Sequence, residues 1–124
     1  MIQTQRIGQS KGKRRVTLWN RALNDAGFPA GTRIAIVADT VAHDLTILPN
    51  RIAVPDPSND DGFTLSDIEP RPRKVSSVLN HGKRLPVIDL KEGKKLDLSH
   101  LGDIGGSVTV SIQPGIITIT RKAN

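Results

Sequence analysis

Alternation of apolar and polar residues dominates this sequence and predicts β-strands. Ile34 and Ile36 follow Gly31 at period two, and Val108 and Val110 follow Gly105 in a looser copy of the same pattern. Side chains two residues apart share one face of a strand, so this spacing is typical of strands buried on one side. Each glycine can take the positive φ that a tight turn often needs. A glycine turn leading into a half-buried strand therefore occurs twice, which indicates an internal repeat.

The first half, residues 1–49, is predicted to follow the order strand, strand, short helix, strand, strand. Asn20 suits the N-cap of the helix, and Gly27 with Pro29 just beyond it are the expected stop signals. The predicted elements are strands over 3–9 and 14–18 joined by a tight turn at 10–13, a helix over 21–26, and strands over 31–37 and 45–48. The residues expected to face the core from the helix and its end are Leu23, Ala26 and Phe28.

The second half, residues 71–124, repeats this order, because Gly82-Lys83-Arg84 matches Gly12-Lys13-Arg14 and later landmarks recur at offsets of 70 to 74 residues. Ordinary loop insertions account for such a drift. The predicted elements are strands over 73–79 and 84–90 with a turn at 80–83, a short helix or irregular turn near 96–101, and strands over 105–112 and 116–120. The two halves are too small to bury much surface alone, so we expect one shared core.

Residues 50–70 are interpreted as a proline-rich acidic linker or excursion. Prolines at 49, 55, 57 and 70 are expected to break any regular element, and seven of the chain's twelve acidic residues lie between Asp39 and Glu69. A calcium loop with Gly62 at its sixth position would need side-chain ligands at positions held by Pro57 and Ile68. Neither residue supplies a carboxylate, so a solvated loop, able to fold back against basic surface, is the better interpretation.

Composition narrows the classes of function. Formal net charge is +6 and the isoelectric point is about 10.2, which favours anionic partners, nucleic acid before anionic membrane. The chain has no cysteine and three scattered histidines, which argues against disulfides and a closed zinc site. No apolar run approaches the roughly 20 residues that span a bilayer, so a soluble, cytoplasmic protein is expected. No cofactor motif is present.

Residues 1–22 contain six Lys or Arg residues and no acidic residue, and residues 70–84 contain five and none. Both basic segments coincide with predicted hairpins, whose Lys and Arg side chains suit contacts to phosphates. Three aromatic residues in the whole chain argue against base stacking as the main binding mode. For scattered lysines such as Lys91, Lys94 and Lys95 we prefer an interpretation as solubilising surface charge.

The repeated order resembles the AbrB/SpoVT swapped-hairpin family. The resemblance rests on Arg73-Lys74-Val75, Gly82 to Ile88, the Gly105 strand and residues 116–120 in the second half. The first half, in Leu18-Trp19 and in residues 26–33, is more similar to the SymE toxin-like branch. The resemblance implies a mainly β fold: a closed β-barrel made from two pseudo-symmetric ββαββ halves of one chain, as a monomeric pseudo-dimer or a swapped homodimer.

The resemblance also implies a function, most simply a transcriptional regulator that binds double-stranded DNA through two basic hairpins. The residues expected to contact nucleic acid are Arg6, Lys11, Lys13, Arg14, Arg15, Arg21, Arg73, Lys74, Lys83 and Arg84. Two alternatives stay open. A SymE-like toxin would cleave RNA, with the turn residue His81 as the one candidate for acid-base chemistry. A protein-interaction module or antitoxin-type inhibitor would use residues 50–70 to bind a protein partner.

Overall fold

The fold is mainly β, as the pattern predicts. The computed structural model describes residues 1–19 and 21–122, without the side chain of Asn80, so the predicted N-cap Asn20 lies outside the described residues. The strands are β1 (Ile2–Arg6), β2 (Gly8–Ser10), β3 (Lys13–Trp19), β4 (Arg33–Asp39), β5 (Asp44–Pro49), β6 (Ile52–Pro55), β7 (Phe63–Ser66), β8 (Arg73–Lys74), β9 (Ser76–Asn80), β10 (Lys83–Lys91), β11 (Ser107–Gln113) and β12 (Ile116–Arg121). The helix α1 spans Arg21–Asp25, and a 3₁₀ turn spans Ser99–Leu101. No helix among the described residues is long and apolar enough to cross a membrane.

Strand pairing in the described residues gives antiparallel sheets of six, four and two strands. The six-stranded order is β1-β11-β12-β5-β4-β8, and the four-stranded order is β2-β3-β10-β9. The equivalent strands of the two halves are β1 and β8, β2 and β9, β3 and β10, β4 and β11, and β5 and β12. Exchanging them reverses each order but keeps every strand beside the same neighbours, as a pseudo-two-fold axis requires. Leu18 and Ile88, equivalent by the 70-residue offset, lie directly opposite each other. Thr46 and Thr118 lie opposite each other in the same way in the six-stranded sheet.

The first strand of each half crosses from one sheet to the other, which the sequence pattern missed. The predicted strand 3–9 is divided at Ile7 and the predicted strand 73–79 at Val75, both almost fully buried. Ile7 N donates to Gly106 O and Ile7 O accepts from Gly105 N, each at 2.8 Å. Val75 makes the equivalent pair with Gly31 N and Thr32 O, at 2.7 and 2.9 Å. Each repeated glycine turn therefore binds the crossing residue of the other half.

The helix α1 ends as the sequence predicts. Gly27 has φ +92°, and Phe28 N donates to Leu23 O at 2.7 Å, the long-range bond of a Schellman cap. This cap directs Phe28, which is fully buried, into the core. One hydrophobic cluster contains the cap residues together with apolar residues of β3, β5, β10, β11 and β12. The two halves thus share a single cluster.

The expectation that prolines exclude regular structure from residues 50–70 is wrong. β6 and β7 pair antiparallel as a separate hairpin, with Pro55 at its last position opposite Phe63. Proline is tolerated there because a strand end next to solvent can lack an N–H donor. Every residue of both strands is exposed, including Ile52, Phe63 and Leu65. The segment is a two-stranded arm that projects from the core rather than an irregular linker.

Candidate nucleic-acid interface

The four-stranded sheet has one buried face and one outer face. In β3, Val16 and Leu18 are buried, so the intervening side chains of Lys13, Arg15 and Trp19 lie on the outer face. In β10, Ile88 and Leu90 are buried, which places Lys83 and Lys91, among others, on that same face. The outer face therefore carries basic residues toward both ends.

Each end of this sheet is a hairpin turn that presents cations. Lys11 and Gly12 have φ values of 53° and 78°, and His81 and Gly82 have 50° and 77°, as two-residue type I′ turns require. Lys11, Lys13, Lys83 and Arg84 are all exposed. None of these four cations forms an ion pair within the described part of the chain. Their charges are therefore accessible to an external anion.

The two hairpin tips, residues 11–13 and 81–84, are not neighbours. Arg15 lies opposite Lys91 and Trp19 opposite Val87. Extending that register beyond the end of β10 places Lys13 level with position 93, which is ten residues after Lys83. At about 3.3 Å per residue, Lys13 and Lys83 are separated by roughly 33 Å along the sheet. Because β3 and β10 run antiparallel, the basic tips lie at opposite ends of one face.

Arg14 and Arg15 hold the halves together through ion pairs, although the sequence marks them as candidate contacts to nucleic acid. Arg14 contacts Glu92 at 3.0 Å and Asp103 at 3.3 Å, and its Nε donates to Gly102 O at 2.7 Å. Arg15 donates twice to Asp89, at 2.8 and 2.9 Å. All of these partners lie in the second half. The charges of both arginines are compensated within the fold.

The other predicted contacts lie away from this face. Arg6 is the last residue of β1 and Lys74 the last of β8, so both belong to the six-stranded sheet, together with Arg73. Arg21 is the exposed first residue of α1. His81, the candidate for RNA cleavage, is an exposed turn residue that forms no hydrogen bond or ion pair with the described residues. The structure therefore brings together only part of the predicted set.

Sequence reasoning missed an apolar depression on the outer face. Trp19 is 52% exposed, and with Val78, Leu79 and Val87 it lines a depression of about 360 Å³ between the tips. Arg15 and Thr17 complete the lining. The predicted strand covered only 14–18, whereas β3 spans Lys13–Trp19; period-two spacing over the longer strand would have put Trp19 on the same face as Lys13. An exposed indole can contact sugars or bases of a bound nucleic acid.

The Arg15–Asp89 pair makes a testable contribution to stability. The hydrogen bonds from Arg15 lower the pKa of Asp89, with a further contribution from Thr17. A lowered folded-state pKa stabilises the fold above the unfolded-state pKa, near 3.9, and the stabilisation is lost as pH falls through the folded value. We expect Asp89→Asn to lower the free energy of unfolding by about 1 kcal/mol at pH 7 and by less at pH 3, measured by urea denaturation.

Asp60→Asn is the matched control for this change, because Asp60 is an exposed carboxylate that forms no ion pair within the described residues. We expect its effect to be near zero at both pH values. An Asp89→Asn effect that stays constant between pH 7 and pH 3 would contradict the assigned role of the ion pair.

Comparison with known proteins finds no matching family model, no similar curated protein and no similar solved structure.

Proposed function

We propose that this chain is a nucleic-acid-binding protein that binds double-stranded DNA across the outer face of the four-stranded sheet. The observation that carries the proposal is the separation of the tips. Lys13 and Lys83, equivalent exposed cations beside the two turns, lie roughly 33 Å apart along the outer face. Successive half-sites on one side of B-form DNA are about 34–36 Å apart. Lys11 and Lys13 would contact phosphates at one site and Lys83 at the next, with Arg84 flanking Lys83 from the other side of the same exposed turn.

The chemistry of this face favours backbone contacts over base recognition at the tips. Lysine ammonium groups pair with phosphates and release condensed counterions, so affinity falls steeply as salt rises. The depression around Trp19 would face the duplex between the two tips and contact sugars or base edges there. A rigid spacing that matches a helical turn favours a duplex over a flexible single strand. Under this proposal the protein acts as a regulator by occupying a DNA site.

The pairing pattern also supports, as part of the same proposal, the barrel of the AbrB/SpoVT swapped-hairpin family. β1 pairs with β11 and β8 pairs with β4, so each half contributes an edge strand to the other. The chain crosses between the six- and four-stranded sheets at Ile7 and Val75. We propose that these two crossings join the sheets into one closed barrel formed by a single chain. Barrel closure would protect strand edges that either sheet exposes alone.

A charge-matched pair of variants tests the DNA-binding proposal. The tip variant combines Lys11→Gln, Lys13→Gln, Lys83→Gln and Arg84→Gln. The control variant removes the same charge elsewhere through Arg33→Gln, Lys94→Gln, Arg121→Gln and Lys122→Gln, all at exposed positions. We expect the tip variant to bind a 20-base-pair duplex about tenfold more weakly or worse near 100 mM salt. Its plot of log affinity against log salt should be shallower by about 0.9 per lost phosphate contact.

The control variant is expected to keep most of the affinity and the steeper slope. Equal losses in the two variants would show that only net charge matters and would contradict the proposed face. Unchanged duplex binding by the tip variant would put the DNA contacts on another surface. Weak binding of the unaltered protein to every nucleic acid would direct attention to the β6–β7 arm, whose exposed Phe63 and Leu65 suit a protein partner. Shortening of a labelled RNA in the same assay would support the ribonuclease alternative.

A further inference from the structure

A second cationic site lies outside the outer face. It is a cavity of about 390 Å³ between β4, the returning end of the 50–70 segment, β8 and the residues before the 3₁₀ turn. This volume is within the range of pockets that hold small ligands. Its polar and charged lining is Thr40, Glu69, Arg71, Arg73, Lys95, Asp97 and His100. The apolar part of its lining is formed by Ile36, Ala38 and Leu96.

Buried hydrogen bonds fix one wall of this cavity. Asn50 is 1% exposed, and its side chain accepts from Glu69 N at 2.7 Å and donates to Glu69 O at 3.0 Å. The Glu69 carboxylate in turn accepts from Ile36 N at 3.1 Å. A buried amide that binds both backbone groups of one residue holds that residue in a defined position. Glu69 is thereby fixed against β4. Arg71 follows two residues later, so its backbone begins close to a fixed point.

The carboxylates that line the cavity accept hydrogen bonds from the backbone, whereas the cations that line it form no ion pair with the described part of the chain. The Glu69 carboxylate accepts from Ile36 N, and the Asp97 carboxylate accepts from Ser99 N at 2.8 Å. Arg71, Arg73 and Lys95 form no ion pair within the described residues. Both carboxylates keep their negative charges but are held by backbone donors, so the lining carries three cations against two carboxylates and is positive on balance. Such a site favours a bound anion.

His100 lies in the wall of the cavity and has one ring nitrogen without a hydrogen-bond partner among the described residues. The residue is 9% exposed, and its Nε2 lies 2.9 Å from Asp44 O. A carbonyl oxygen only accepts, so Nε2 is the donor in this bond. The Nδ1 atom is buried and has no hydrogen-bond partner among the described residues. In the neutral ring Nδ1 is then an acceptor, so His100 lines the cavity without donating to a phosphate oxygen.

We propose that this cavity binds a small phosphate-bearing ligand, with Arg71, Arg73 and Lys95 as the phosphate-binding cations. A phosphate monoester carries close to two negative charges at neutral pH and presents three terminal oxygens, one for each of the three cations. Two arginines can each offer paired N–H donors to phosphate oxygens. The apolar wall leaves room for the organic part of the ligand. The phosphate could belong to a free nucleotide or to the phosphorylated end of a strand.

The site is separate from the proposed DNA-binding face. Arg73 belongs to β8 of the six-stranded sheet, and the cavity shares no lining residue with the depression around Trp19. Ligand binding in the cavity therefore does not depend on duplex binding. A variant at the hairpin tips should leave the cavity unaffected, and a variant in the cavity should leave the tips unaffected.

Adenosine monophosphate and inorganic phosphate are the probes, titrated at constant ionic strength in chloride and followed by NMR. We expect saturable shifts of backbone resonances at 69–73 and 95–100 and of the His100 ring. Arg71→Gln combined with Lys95→Gln is expected to weaken binding of adenosine monophosphate at least tenfold. Both positions are exposed, so the variant should fold. Lys94→Gln combined with Arg33→Gln is the charge-matched control and should bind as the wild type does.

Absence of saturable shifts in the cavity, or equal weakening in the control, would overturn the proposal. Equal affinity for succinate would also overturn it, since the site would then not select phosphate. Comparison of adenosine monophosphate with 5′-phosphorylated and 5′-hydroxyl hexanucleotides identifies the source. Binding of the free nucleotide supports a small-molecule ligand, and binding of the 5′-phosphorylated strand alone supports recognition of a strand end. The tip variant, which should bind duplex DNA poorly, should bind adenosine monophosphate normally.

Discussion

Residues 1–49, produced without the rest of the chain, are expected to show no cooperative unfolding transition as a monomer. β1, β3 and β5 pair with β11, β10 and β12, all of which belong to the second half. The isolated piece would also leave the crossing residue Ile7 without the Gly105 and Gly106 backbone groups that it binds. We therefore expect loss of essentially the whole free energy of unfolding. Circular dichroism during urea titration measures it.

A nicked chain provides the matched control for this experiment. Cleavage within 57–61, in the exposed turn of the β6–β7 arm, breaks the covalent connection but keeps both halves present. Because the shared cluster and the exchanged strands remain, the nicked protein should still unfold cooperatively. A monomeric fragment 1–49 with a cooperative transition of its own would show that the exchanged pairing is dispensable.

Phe28→Ala is expected to lower the free energy of unfolding by about 3–5 kcal/mol. Phe28 is fully buried, and large-to-small substitution at such a site removes apolar burial and leaves a cavity. The Schellman cap that positions it also joins α1 to the shared cluster, so the cavity would open beside residues of both halves. Urea denaturation with the midpoint and slope fitted separately gives the change.

Phe63→Ala makes the same chemical change on the arm, where the side chain is 55% exposed. Its effect on global unfolding should stay below about 1 kcal/mol, since substitutions at exposed positions are usually small in effect. Similar losses for the two phenylalanines would contradict the assignment of Phe28 to the core and of the arm to the periphery.

Local patterns predicted the elements near the repeats well. Period-two spacing located β4, β5, β10, β11 and β12, and the glycines at 12 and 82 located both hairpin turns, because these features depend on neighbouring residues alone. The arm was missed because proline content was interpreted as a barrier to pairing. The pairing of Pro55 with Phe63 shows that a proline at the end of an exposed strand leaves the hairpin intact.

Candidate contacts were harder to predict than elements. Charge density in the sequence marked Lys13 and Arg14 equally, yet Arg14 is compensated by Glu92 and Asp103 while Lys13 has no ion pair among the described residues. Those carboxylates lie 78 and 89 residues away along the chain. Lys95, interpreted from sequence as solubilising charge, lines the cavity with Arg71 and Arg73. No local pattern contains this information.

Backbone preferences and short-range periodicity are enough to specify the strand-rich class, the internal repeat, the turns and the apolar residues of the core. The folded chain is needed to know which half supplies each partner strand, where the tips lie and which charges stay available. Antiparallel pairing of β3 with β10 separated the tips, and burial of Ile7 and Val75 exchanged strands between the halves. Those outcomes depend on contacts between residues distant in sequence, because hydrophobic burial and ion pairing act through space.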